Sequence, residues 1–149
     1  MSELNELKQV LRGVMLFAGL SDEELEAVAA ICNERRLQRG EVIAEQGAPG
    51  DEFYVVTDGF LEISIGGDEA LSQVLVNLGK GQIIGEMALI DQGPRSATVR
   101  AVSEAAVQVI RREDFEALCE RNTRIGYRVM KDIAADLSFK LRHRNMAIG

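Results

Sequence analysis

The sequence predicts a mainly β body with helices at both ends, and three observations carry that reading. Apolar residues recur at three- and four-residue steps near the N-terminus and again beyond residue 112. Between residues 37 and 111 several runs shorten that period to two. Glycine-rich turns separate those runs, and about seven or eight short strands so spaced argue for a closed or double-sheet β-roll.

The first 15 residues place Leu4, Leu7, Val10, Leu11 and Val14 at helical spacing, which predicts a short amphipathic helix. A second helix opens on a capping box, Ser21 with Glu24, and carries Leu25, Val28, Ala29 and Cys32 as its apolar stripe. Strands are predicted over 42–44, 53–57, 60–65, 72–78, 82–84, 98–102 and 106–111. In the third of these Leu61, Ile63 and Ile65 alternate with Glu62 and Ser64, the pattern of a half-buried strand. Gly66, Gly67 and Asp68 mark a hairpin tip running on to Leu71. Gly40, Gly50, Asp51 and Gly59 read as tight-turn residues. Helices resume near Glu113 and Asp114, whose charges suit the positive end of a helix dipole, with Phe115, Leu118 and Cys119 on one face. Asn122 or Thr123 can cap a last, longer helix reaching toward Arg144. Its narrow stripe of Met130, Ile133, Leu137 and Leu141 can seal against the roll or against a second copy.

Composition bounds the chemistry. A chain of 149 residues fits one domain able to bury a core without disulfides or metals. Two cysteines and one histidine, His143, rule out a four-cysteine iron–sulfur cluster and the His-rich metal site of a cupin-type enzyme. Cys32 and Cys119 read as small buried hydrophobes. No apolar run is long enough to span a bilayer. Glu3 and Glu6 stand where a leader would be basic, so a cytoplasmic location is expected. Residues 121–149 hold seven Lys/Arg against two acids, so the remainder carries more than the whole formal charge of −7. So acidic a body is a poor binder of nucleic acid, and none is expected as a partner.

One stretch organises the rest: Gly85 to Ala101, with one acid and one arginine joined by a short apolar turn and a Gly-Pro corner. Gly85 permits a positive φ or a close backbone approach. Residues 86–90 suffice for one helical turn, whose first amides face outward and suit an anion such as phosphate. Gly93-Pro94 breaks that turn. Arg95 follows at once and can return its guanidinium to fork two phosphate oxygens. Glu86 needs a hydrogen-bond donor beside the anion, and a sugar hydroxyl is one. The residues point to a pocket for a phosphorylated ribose. Against this stands the plainer reading, solvated charges and a core plug of Met87, Ala88 and Leu89.

The runs Gly85-Glu86-Met87-Ala88-Leu89 and Pro94-Arg95-Ser96-Ala97-Thr98-Val99-Arg100-Ala101 resemble the phosphate-binding cassette of the cyclic nucleotide-binding domain family. That family includes protein kinase A regulatory subunits, cyclic nucleotide-gated channels and the bacterial catabolite activator protein. The likeness extends from about Leu16 to Asn122. It implies an eight-stranded jelly roll within a single domain: N-terminal helices in 1–35, the roll in 36–111 with the cassette at 85–101, and C-terminal helices in 112–149. Carried onto this sequence, it gives Arg95 the exocyclic phosphate oxygens and assigns donation to the same group to the backbone amides of Ala88 and Ser96. Glu86 would accept from the ribose 2′-hydroxyl and Gly85 would let the backbone close in, with Met87 and Ala97 completing the ligand-binding set. Ser96 resembles the residue of bacterial activators that respond to cAMP, so cAMP is expected ahead of cGMP. The family's last helix commonly covers the base, which makes Leu137, Leu141 and Arg142 candidate base caps or, equally, a dimer seam plus a solvated arginine.

The expectation is a stand-alone cyclic nucleotide sensor that signals by moving its C-terminal helices, as a homodimer through the last helix or through a protein effector. It takes the nucleotide as ligand and uses no cofactor. No paired acids, nucleophile–base set or metal cluster suggests an enzyme. The alternatives are an interaction module on the same fold that needs no ligand, or a fragment of a larger channel, kinase or transcription regulator.

Overall fold

The computed structural model describes residues 2–66, 73–90 and 93–148. The expected hairpin residues Gly67, Asp68 and Leu71, the strand start at Ser72 and cassette positions Asp91 and Gln92 lie outside them.

Helix α1 (Glu3–Arg12) starts at Ser2, whose hydroxyl accepts the Asn5 amide at 3.1 Å. Helix α2 (Asp22–Ala29) opens on the expected capping box: Glu24 N donates to Ser21 Oγ at 3.2 Å, and Ser21 N donates to Glu24 Oε1 at 2.8 Å. Lys8 Nζ and Arg12 Nη2 each meet the Asp22 carboxylate at 3.0 Å and clasp α1 to α2. A 3₁₀ turn over Met15–Phe17 joins them and buries Leu16 and Phe17.

Eight strands follow among the described residues: β1 (Cys32–Leu37), β2 (Val42–Ala44), β3 (Glu52–Asp58), β4 (Leu61–Ile65), β5 (Gln73–Leu78), β6 (Ile83–Ile84), β7 (Thr98–Ala101) and β8 (Ala105–Arg111). They form two four-stranded antiparallel sheets, ordered β1-β8-β3-β6 and β2-β7-β4-β5. This is the expected β-roll with flanking helices. Strand β3 explains the division of the core. Tyr54 and Val56, with Val107 of β8, face Leu61 and Val99 of the second sheet, while Phe53 and Val55 face the helices. Buried on both faces, β3 reads as a nearly unbroken apolar run. Phe53 meets Phe115 edge to face at 5.7 Å, docking α3 (Arg112–Arg121) onto the sheet.

The first strand corrects the sequence reading. Cys32 was expected on a helical stripe within residues 1–35, but α2 ends at Ala29 and Cys32 begins β1. Asn33 to Arg36 are all exposed, so this strand carries no two-residue alternation to betray it. Its pairing with β8, from Cys32↔Ile110 to Leu37↔Ala105, fixes it through tertiary contact. Cys32 and Cys119 are half-buried and free; burial pushes their thiols up to about 12 and about 11.

The last helix, α4 (Thr123–Ile148), accepts a cap from Asn122: the Ile125 amide donates to its Oδ1 at 3.4 Å. The seam also differs from the expected stripe. Ile125, Val129 and Ile133 are buried in the core shared with α1, α2 and α3. Met130, Leu137 and Leu141 are exposed, with Tyr127 and Phe139. A four-residue step from Ile125 keeps the buried face continuous for about two turns, then leaves the rest of the helix projecting. No helix among the described residues is long and apolar enough to cross a membrane.

Candidate functional site

Strand β6 pairs with Tyr54 and Val55 of β3, which delivers Gly85 beside that strand. Gly85 takes φ +82°, as expected for a left-handed turn residue, and a Cβ there would stand 2.5 Å from Arg95 Nη1. The chain then makes the expected short turn, a 3₁₀ turn over Glu86–Leu89. Ala88 and Leu89 are buried and anchor it, while Met87 is exposed. The Ala88 amide was expected to face the anion. It donates instead to the Gly85 carbonyl at 2.9 Å, because a 3₁₀ turn closes its first hydrogen bond there. The turn's leading donors are therefore the amides of Glu86 and Met87.

Arg95 is held by backbone and side chain together. Its amide donates to Ala48 O at 2.7 Å, its carbonyl accepts from Gly47 N at 2.8 Å, and Pro94 bridges to Pro49. Its Nη2 donates to the Glu52 carbonyl at 2.7 Å and lies 3.5 Å from the Tyr54 hydroxyl. The guanidinium carbon sits 5.6 Å from the Tyr54 ring centroid. That hydroxyl in turn donates to Glu52 Oε1 at 2.7 Å. Burial first, then the Glu52 carboxylate, push the Tyr54 phenol up to about 12, so it remains a donor at neutral pH. Gly50 completes the cradle: a Cβ there would lie 3.1 Å from Arg95 Nε.

These residues border a cleft of about 550 Å³, within the size range of small-molecule sites. Gly85, Glu86, Met87, Ala88, Arg95, Ser96 and Ala97, all expected from the sequence, line it together. Ile63, Leu78, Ile84 and Val99 supply apolar walls. The arrangement joins a cation, exposed turn amides and one carboxylate to an apolar slot, which suits an anionic ligand with a hydroxyl and a flat apolar part. Among the described residues no three His, Cys, Asp or Glu side chains converge as a metal site.

The candidate base caps fare differently. Helix α4 reaches the cleft through Lys140, which the sequence reading left out. Leu137 lines an adjoining cavity of about 360 Å³ with Met87, Ile133 and Lys140. Leu141 and Arg142 are exposed and line neither. Gly50, Glu52 and Tyr54 were also missed as parts of the Arg95 cradle. Glu52 and Tyr54 lie 43 and 41 residues before Arg95, so no local spacing announces them. Gly50 gave the one available signal, a glycine in a turn whose neighbours already supply the bend.

Comparison with known proteins fits this geometry. The sequence model of the cyclic nucleotide-binding domain matches residues 34–122. The cyclic AMP receptor protein of Thermus thermophilus is 32% identical over 141 residues, 93% of this chain and 62% of its own length. The cAMP-dependent protein kinase regulatory subunit of Dictyostelium discoideum is 30% identical over 115 residues, 75% of this chain and 35% of its own. The chain thus spans less than two thirds of either curated relative. Among solved structures, the N-terminal domain of a transcriptional regulator from Streptomyces coelicolor superposes with a TM-score of 0.81 at 31% identity, covering 94% of this chain and 95% of that one. The chain belongs to the cyclic nucleotide-binding domain family.

Proposed function

We propose that this chain is a cyclic nucleotide sensor, with cAMP its foremost ligand and cGMP the alternative. The observation that carries the reading is Arg95: its guanidinium is fixed at the cleft by a carbonyl and a phenol, so its charge is left for a ligand anion. Arg95 and the outward amides of Glu86, Met87 and Ser96 hold the cyclic phosphate. The Glu86 carboxylate accepts from the ribose 2′-hydroxyl. Gly85 brings the backbone close, and Met87, Ala88 and Ala97 pack against the sugar. The nucleotide is a ligand and the chain has no catalytic role. The names of the relatives, one a cyclic AMP receptor and one a cAMP-dependent kinase subunit, favour cAMP.

The output is the projecting part of α4. Its exposed Leu137 and Leu141, one turn apart, offer an apolar face to a second copy of the chain or to an effector protein in the cytoplasm. Binding shifts that helix only if its two arrangements differ in affinity for the nucleotide. The sensor acts as one unit, the helices at either end closing on the roll. Calorimetric titration with cAMP, cGMP and cyclic di-GMP at one salt concentration tests the reading. Saturable binding of a mononucleotide is expected, with cAMP the tighter. Absence of binding to both mononucleotides would leave the ligand-independent interaction module standing.

A further inference from the structure

Arg95 borders two cavities, and only one of them is the cleft. The other, of about 230 Å³, lies behind the cradle and is lined by Glu45, Asp51, Glu52 and Tyr54. Three carboxylates thus share a cavity with the guanidinium that a ligand anion must hold. An anion in the cleft and a carboxylate behind it compete for one positive charge. Glu52 is tied to Arg95 twice. Its carbonyl accepts from Nη2 at 2.7 Å, and its Oε1 accepts the Tyr54 hydroxyl, which lies 3.5 Å from the same Nη2.

That carboxylate has a cation of its own: Arg35 Nη1 lies 3.4 Å from Glu52 Oε1. Strand β1 explains the reach. Its Leu37 is buried in the core of the roll, and Arg35, two residues earlier, shares that face. Arg36 takes the opposite face, meets Glu34 at 3.6 Å and has 80% of its side chain exposed. Arg111, across the β3–β8 pair from Glu52, is occupied by Glu113 at 2.8 Å. Arg35 is therefore the cation that pairs with Glu52 among the described residues. Burial acts first on the Tyr54 phenol; after it the Glu52 carboxylate pushes the same way, and Arg95 and Arg35 oppose both. One hydroxyl thus lies in the field of all three charges.

We infer that Arg35 is a positioning residue for the cleft: it neutralises the Glu52 carboxylate and so leaves the charge of Arg95 to the ligand phosphate. This rests on the cyclic nucleotide reading of the cleft. Arg35 stands on an edge strand that contributes nothing to the cleft lining, so it acts only through Glu52. Without it the Glu52 carboxylate is uncompensated beside Tyr54, draws on Arg95 and repels the incoming anion. cAMP and cGMP share the phosphate, and Arg35 serves both alike.

The test is calorimetric titration with cAMP and cGMP of the wild type, Arg35→Ala, Arg35→Lys, Arg36→Ala, Glu52→Gln and the double variant Arg35→Ala/Glu52→Gln. Arg35→Ala is expected to weaken both ligands by about three- to fivefold, the scale of a part-exposed charge pair. Arg35→Lys keeps the charge and should lose less than about twofold. Arg36→Ala makes the same change of net charge on the opposite face of β1 and should bind like the wild type. Glu52→Gln keeps an acceptor for Tyr54 and removes the competing charge, so it should bind at least as tightly as the wild type. The double variant should recover the affinity lost in Arg35→Ala, a rescue that a merely structural role would not give. An Arg35→Ala protein with wild-type affinity overturns the inference. So does a double variant as weak as Arg35→Ala, an equal loss in Arg36→Ala, or a loss confined to one of the two ligands. A Glu52→Gln protein that binds more weakly overturns it too, since the carboxylate would then support Arg95. A wild type that binds neither ligand removes the nucleotide reading itself, and this inference with it.

Discussion

Arg95 keeps its position because two glycines leave room for it. A methyl at Gly50 would press on its Nε, and one at Gly85 would press on its Nη1. The two sites differ in backbone: only Gly85 has a positive φ. Gly50→Ala is therefore expected to weaken nucleotide binding through displacement of a flexible side chain, with little change in melting temperature. Gly85→Ala should lose both affinity and stability, the latter by about 1–2 kcal/mol for a left-handed residue with a Cβ. Paired titrations and thermal melts separate the two, and equal melting losses would show that the cradle is not what Gly50 serves. At this scale the cassette was legible because its parts are contiguous: Gly85, Glu86, Pro94 and Arg95 announce a turn, an acid, a corner and a cation in order. Tyr54 and Glu52 were not, since nothing in a β3 sequence shows which distant side chain will lie across it. Lys140 stood outside the candidate caps Leu137, Leu141 and Arg142 because a cation there suits the negative end of a helix, yet it is the residue of α4 that lines the cleft.

Among the elements, α4 divides into an anchored part and a projecting part. Ile125, Val129 and Ile133 are core, and Arg124 pairs with Glu24, the one buried charged residue among those described, 8% exposed. The Ser21 amide, then Arg124, hold the Glu24 carboxyl below its ordinary 4.5 against the opposing effect of burial. Its folded-state pKa is lowered, so this contribution to stability is full above the ordinary value and is lost as pH falls through the folded one. Denaturant melts of the wild type should lose stability on that acid side more steeply than melts of Glu24→Gln; parallel acid limbs would contradict the pairing. The same anatomy moves the boundary of the switch. Removal of residues 123–149 strips Ile125, Val129 and Ile133 from the core, each isoleucine worth about 2–5 kcal/mol on truncation to alanine, and should unfold the domain. A chain ending at Ile133 should stay folded and bind nucleotide more weakly, as linkage requires if the projecting part favours the bound state. Circular dichroism with titration checks both, and unaltered affinity in the shorter folded chain would remove α4 from the mechanism. The sequence showed this helix and its direction but misplaced its seam. Met130 and Val129 are neighbours of similar hydrophobicity, and only the packing of the Met15–Phe17 turn and α3 decides which one turns inward.

On the scale of the whole molecule, the roll and the helices meet at β3, which contributes to both cores and to the Arg95 cradle. The 3₁₀ turn of the cassette lies between the same partners: Leu89 belongs to the helical core while Ala88 and Met87 border the cleft. A ligand that draws on this turn therefore touches, through one residue's width, the packing against which α4 is anchored. Under the proposed function that arrangement would couple a phosphate site to a helix, given a difference in affinity between two states. Alternation in β4 and the glycine-rich turns made the roll legible, and the charge imbalance between body and tail was plain from composition. The two-sheet strand order was beyond reach, because it depends on pairings between residues far apart in the chain. The account stands on Arg95 as the anion's cation. The most direct test is calorimetric titration of cAMP into the wild type, Arg95→Ala and Arg100→Ala at one salt concentration. Arg100 bonds the Gly40 carbonyl at 3.4 Å and is absent from the cleft lining, so its loss should matter little. Arg95→Ala should cost about 2–4 kcal/mol of binding free energy, the loss expected when a charged partner leaves an ion unpaired. Equal affinities for the wild type and Arg95→Ala would contradict the account.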